Sequence, residues 1–140
     1  MKGGSTWLRL CAPASALLLL VACGSMSARE SPDDAAVHRD ILSGRAGAEV
    51  TFDGTLKSDP QQVGNHEHLT ITTVAGDVLE VDHNTSLAPW VPAHAGDLVI
   101  VHGQLYIDPG PRAGVHCTHA HTSSGCGQPG WVELGGNYYE

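Results

Sequence analysis

The chain has little of what most catalytic and nucleic-acid-binding proteins display. Only 7 of its 140 residues are lysine or arginine, against 15 aspartates and glutamates. Two of those cations, Lys2 and Arg9, lie in a leader-like opening that holds no acid, so the remainder carries 5 basic and 15 acidic side chains, a net of −10. Such a field repels phosphate backbones and leaves few cations to displace counterions, which argues against nucleic acid as a partner. Aromatic residues make up only 5% of the chain. There is no HExxH and no paired CxxC, so no zinc motif is readable from spacing alone. No GxSxG nucleophile elbow and no glycine-rich phosphate cradle is present. The longest unbroken apolar run falls far short of the roughly 20 residues a membrane-spanning helix needs.

What is present begins at the N-terminus. Lys2 and Arg9, an apolar stretch ending in Leu17 to Val21, and small residues after it have the layout of a secretory signal. Its end, Leu20-Val21-Ala22-Cys23, resembles the lipobox of bacterial lipoproteins, whose cysteine takes the lipid and becomes the first mature residue. The resemblance implies a signal peptide over 1–22, lipid attachment at Cys23, and a membrane as partner through that lipid. The expected location is the cell envelope, at the outer membrane or the outer face of the plasma membrane. Ordinary cleavage near Ser25 to Ala28 would instead discard Cys23. Residues 23–32 are small and polar and read as a flexible tether, and a chain of this length leaves one domain over 33–140.

That domain reads as mainly β with one short N-terminal helix. In "SPDDAAVHRDILSG", Ser31, Pro32, Asp33 and Asp34 mark a helix start and Gly44 a stop. From Glu49 the period changes to two, with Val50, Phe52, Gly54 and Leu56 on one side. "SDPQQVGN" is turn-rich, and "HEHLTITTVAGDVLEVDHN" forms a hairpin about Ala75-Gly76-Asp77. The prolines of "TSLAPWVPAHAGD" bar a regular strand, whereas "DLVIVHGQLYID" is a strong one with a bend expected at Gly103. A further strand fits Gly114 to Thr118, and "WVELGGNYYE" gives a closing hairpin. Five or six strands in this arrangement predict a small barrel of the oligonucleotide/oligosaccharide-binding (OB) type; a small sandwich is the alternative.

Several motifs in order then resemble a family of short exported bacterial proteins known as domain of unknown function 3465. They are His66 before a strand, "HNTSLAP" from His83 to Pro89, Gly96-Asp97, "V-H-x-T-H" from Val115 to His119, and Gly130-Trp131 followed by a terminal tyrosine. The resemblance covers roughly residues 48–139. It implies a compact exported β-rich domain and carries no established activity or cofactor. Four histidines, His66, His83, His116 and His119, fall on family-like positions, while His68, His94, His102 and His121 look particular to this chain.

Three uses compete for those four histidines. They could surround zinc or another transition metal, because neutral imidazoles are good ligands. They could serve a metal-dependent hydrolase, with Glu67 or Asp82 as the base. Or His83, following Leu79 and Val81 at spacing two, sits at the core edge and holds the "NTSLAP" connector by hydrogen bonds. Strand alternation puts His116 and His119 on opposite faces unless the strand ends between them. Cys117 and Cys126 could be thiolate ligands, but an oxidising compartment favours a disulfide between them. Trp90 and Trp131 could stack on a ligand or fill the core ends. Asp77, Glu80 and Asp82 read as a solvated edge. Taken together, the sequence predicts a lipid-anchored module that binds a small-molecule or protein ligand without turnover.

Overall fold

The computed structural model describes Met1, residues 29–109 and residues 112–140. Beyond Met1, the expected signal peptide falls outside the described residues, as does the expected lipid-bearing Cys23. Among the described residues no helix is long and apolar enough to cross a membrane.

Helix α1 (Asp34–Leu42) begins where local chemistry favours it. Asp33 is the N-cap, its carboxylate accepting the Ala36 amide at 2.9 Å, and Asp34 puts a negative charge in the first turn. Ser43 and then Gly44, at φ +66°, end it. One side chain, Val37, is fully buried, and Ile41 packs beside it on the core. The two oxygens of Asp34 accept the amides of Asp53 and Val74 at 3.1 and 3.0 Å, which ties the helix start to the sheet.

The strands are β1 (Glu49–Leu56), β2 (Gln61–Val63), β3 (His66–Thr73), β4 (Val78–Asn84), β5 (Leu98–Ile107), β6 (Ala113–His116), β7 (Trp131–Leu134) and β8 (Asn137–Tyr139). Five of them run in the order β1-β3-β4-β6-β5, and β1 pairs β5 as well, so the sheet closes. Every pairing is antiparallel except β4 with β6, which is parallel from Leu79↔Ala113 to Val81↔Val115. This is a five-stranded barrel of OB type with a short helix, as the alternation predicts. The three added strands lie outside the ring. β2, within a stretch read as turn-rich, pairs the first part of β3. The β7–β8 hairpin runs along β5 from Val99 to His102, and β6 takes over from Gln104. Gly103 stands at that change of partner.

Alternation fills the barrel. Phe52, Leu69, Ile71, Leu79, Val81, Val101 and Val115 are wholly buried, each from the inward set of its strand. The connector from β4 to β5 adds Ala88, Val91 and Ala93. Its prolines keep it out of the ladder, and it lies over the core instead.

Strand β6 ends two residues earlier than the sequence predicts. Cys117 adopts φ 58°, the left-handed region, so alternation stops there. Cys117, Thr118 and His119 are consequently all buried in succession. A disulfide joins Cys117 to Cys126 with their Cα atoms 5.4 Å apart. The chain returns through Gly130, whose amide donates to the His119 carbonyl at 2.9 Å. A Cβ at that position would stand 1.9 Å from the Cys117 carbonyl oxygen, which is why "GW" needs its glycine.

Removing the staple tests its contribution. The Cys117→Ala/Cys126→Ala variant should lose about 2–3 kcal/mol of unfolding free energy on the chain-entropy account. Urea denaturation at unchanged slope measures it. Undiminished stability would mean that the Gly130 contacts alone hold the loop.

Candidate functional site

The four histidines the sequence singled out lie near one another without bringing their nitrogens onto one point. His83 is wholly buried, and both of its nitrogens are engaged. Nε2 lies 3.0 Å from the Pro89 carbonyl and Nδ1 2.9 Å from the Thr118 hydroxyl. A carbonyl only accepts, so Nε2 carries the hydrogen and Nδ1 accepts from Thr118. Burial holds the His83 pKa below the ordinary value, in keeping with a neutral ring. The core-edge reading of His83 is therefore the one the geometry supports, and no lone pair remains for a metal. His116 sits on the outside of β6, with Nε2 3.1 Å from the Gln104 amide oxygen and its ring edge-on to Tyr106. His119 is buried inside the disulfide loop, its Nε2 3.9 Å from Cys126 Sγ and its Nδ1 without a hydrogen-bond partner. Burial lowers its pKa too. His66 pairs with Asn84 at the start of β3. Among the described residues these four do not form a group whose ligand atoms lie within 4.8 Å of one another.

A different group does converge. Among the described residues, His68, Glu80 and Asp82 each offer one ligand atom within 4.8 Å of the others. The cause is register. His68 on β3 is directly opposite Asp82 on β4, Glu80 is opposite Thr70, and all three belong to the outward set. His68 Nε2 is 3.3 Å from Asp82 Oδ1, and Nδ1 is 3.7 Å from Glu80 Oε2. Asp82 Oδ1 is enclosed yet makes no hydrogen bond, while Oδ2 accepts the Tyr106 hydroxyl at 3.0 Å. Tyr106 reaches it by crossing β6 at Gly114, where a Cβ would meet the phenol ring at 2.2 Å. Burial, then the adjacent Asp82 carboxylate, raises the Tyr106 pKa above its ordinary value, so the phenol stays a donor. A groove beside Glu80 is lined by Thr70, Val78, Arg112 and Ala113, with Arg112 Nη2 4.0 Å from Glu80 Oε1.

Glu80 and Asp82 are thus not simply a solvated edge. Asp77 belongs elsewhere, 3.0 Å from His38 Nδ1. The missed residue is His68. Counting outward from the Ala75-Gly76-Asp77 turn would have set it against Asp82, and the shared face of His66 and His68 was already legible.

The remaining expectations divide. Cys117 and Cys126 form the disulfide and are not thiolate ligands. Trp131 is only 6% exposed, stacked on His102 at 5.8 Å and edge-on to Tyr138 at 5.1 Å, and it is covered on the outer side of the sheet, apart from the core cluster. Trp90, at 40% exposure, is the one of the pair open to a ligand.

Inside the barrel, Glu67 faces His83 across β3 and β4. It is wholly buried, with Oε2 accepting the Val91 amide at 2.8 Å and Oε1 unpartnered. Burial pushes its carboxyl up to about 7, against the downward pull of the Val91 amide. With His83 on Pro89, it pins the connector to the barrel mouth.

Compared with models of known protein families and with curated proteins, the chain matches none.

The Glu67 carboxyl makes stability depend on pH. Its pKa rises from about 4.5 to about 7 on folding, so between those values the fold holds a proton that the unfolded chain has released. Its contribution is whole below pH 4.5 and is lost as pH climbs to 7, by roughly 3 kcal/mol. His83 acts oppositely, because its lowered pKa makes its contribution whole above the ordinary histidine value and lost on acidification below it. Glu67→Gln keeps an acceptor for Val91 and removes the first effect only. Urea unfolding at pH 5 and pH 8 should show the variant gaining on the parent at the higher pH, and parallel pH profiles would refute the assignment.

Proposed function

We propose that the protein is a lipid-anchored module of a bacterial envelope whose OB-like barrel binds a transition-metal cation on the outer face of β3 and β4, without turnover. The observation that carries this is the convergence of His68, Glu80 and Asp82. One imidazole and two carboxylates suit zinc, and three protein ligands leave the fourth position of a tetrahedral ion to water or a small-molecule or protein ligand. Ligand atoms on one zinc stand about 3–3.5 Å apart, so side-chain rotation alone brings this group onto an ion. The hydroxyl of Tyr106 on Asp82 Oδ2 supplies the outer support that fixes a carboxylate ligand, leaving Oδ1, which makes no hydrogen bond, to ligate. In OB barrels the equivalent pair of strands is the ligand-binding face. The lipid anchor rests on the run Leu20-Val21-Ala22-Cys23. On this reading the chain is also a member of domain of unknown function 3465, for which a compact β-rich barrel is the expected form.

Zinc titration of the purified, untagged chain tests the metal reading. Zinc at 100 times its dissociation constant should stabilise the parent by about 2.7 kcal/mol. His68→Ala and Asp82→Asn should abolish the effect, and His66→Ala should leave it intact. Binding should weaken on acidification, since an imidazole must be deprotonated to ligate. Equal zinc binding by parent and His68→Ala would overturn the site. Cys23→Ala should abolish lipid modification, and its full retention in the membrane fraction would overturn the anchor.

A further inference from the structure

The residues from Arg29 to Asp33 run across the outside of the barrel, although the sequence places most of them in a tether. The Arg29 guanidinium donates to both carboxylate oxygens of Glu140, at 2.6 and 3.0 Å. It also lies 3.9 Å over the Tyr138 ring and 5.5 Å from that of Trp131. Glu30 Oε2 accepts the Thr51 hydroxyl at 3.3 Å and stands 3.7 Å from His102 Nδ1. The Asp33 amide donates to the Thr51 carbonyl at 2.9 Å. Thr51 and His102 are paired across β1 and β5, and both belong to the outward set of their strands. They are nonetheless only 6% and 8% exposed. The segment thus forms a strap over the β1–β5 seam and the β7–β8 hairpin.

In a ring ordered β1-β3-β4-β6-β5, the wall opposite the β1–β5 seam is β4. The strap and the His68, Glu80, Asp82 group therefore stand on opposite sides of the barrel. Five residues, 24–28, separate Cys23 from Arg29. Six peptide steps reach at most about 20 Å.

We propose that the strap is an orienting device: with lipid on Cys23, it holds the β1–β5 side and the β7–β8 hairpin against the bilayer surface and turns the His68 face away from it. The proposal rests on the lipid anchor above. Opposite walls of packed sheet lie about 10 Å apart, and outward side chains add to that on both sides. Turning the β3–β4 face to the lipid would lift Arg29 by the whole width of the barrel and stretch the linker to its limit, at a cost in chain entropy. Tyr138, 43% exposed beside Arg29, offers an amphipathic ring of the kind that favours the headgroup level. The net of −10 gives no attraction to anionic lipid, so the surface it fits is zwitterionic.

The test uses the full mature chain, lipidated, in phosphatidylcholine vesicles containing a lipid with a nitroxide on its headgroup. One fluorophore is placed at Asn137→Cys on β8 and, in a second preparation, at Gln61→Cys, registered with His68. The probe at 137 should lose most of its intensity and that at 61 should keep it. In an Arg29→Ala/Glu140→Ala background the two should become similar, with vesicle association unchanged. Equal quenching in the parent, on a chain whose mass shows the lipid, would overturn the orientation and leave the anchor standing. A mature chain whose mass lacks the lipid would overturn both. Asymmetry that persists without Arg29 and Glu140 would remove the strap as its cause.

Discussion

Closure of the sheet is the constraint on which everything else depends. A strand pair cannot run parallel without a crossover, and β4 meets β6 in parallel only because β5 intervenes in sequence and lies on the far side of β6 in space. Once β1 is paired on both sides, the inward and outward sets of the five ring strands are fixed together. A slip of one residue that turned β3 or β4 over would send Leu69 and Ile71, or Leu79 and Val81, to solvent. The same fixed alternation sends His68, Glu80 and Asp82 outward on neighbouring strands.

Closure also creates a mouth that must be covered, and polar groups do the covering. The β4–β5 connector cannot join the ladder, so its backbone needs partners elsewhere. Glu67 takes the Val91 amide and His83 the Pro89 carbonyl, from paired positions inside the barrel. Burying a carboxyl to hold one amide is costly, and the raised pKa of Glu67 is the form that cost takes. The arrangement places two titratable groups of opposite pH response beneath one connector. Thr118 reaches His83 only because the chain turns inward at Cys117, so the disulfide loop and the connector share this polar seat.

The two outer sides of the barrel differ in chemistry. Toward β1 and β5, Arg29, Glu30 and the aromatic pair Trp131 and Tyr138 seal the surface. Toward β3 and β4, one histidine and two acids are drawn together with a carboxylate oxygen that makes no hydrogen bond. Tyr106 links strands on this side, and it does so through the space Gly114 leaves open. At the strap one of the chain's few cations, Arg29, meets two of its few aromatics, a meeting that composition alone did not reveal.

Alternation and turn residues determined the elements: apolar residues at spacing two can be buried only on one face of a strand, and proline cannot donate to a ladder. That reasoning yields the helix near Asp33, the hairpin about Gly76, the irregular connector and the barrel class. His83 was also legible as a core-edge group, since it continues the inward series of Leu79 and Val81. The disulfide was expected of two cysteines in a chain that reads as exported, where an oxidising compartment favours it over thiolate ligation. Tertiary structure alone decided where strands end and what meets across them. Cys117 leaves the strand for the left-handed region, a residue-level departure that no periodicity encodes, and it separates His116 from His119. The pairing of His68 with Asp82 depends on cross-strand register, and the crossing of Tyr106 over Gly114 on a third strand. Arg29 and Glu140 are joined from the two ends of the domain, a contact between residues far apart in sequence that only the closed barrel brings within reach.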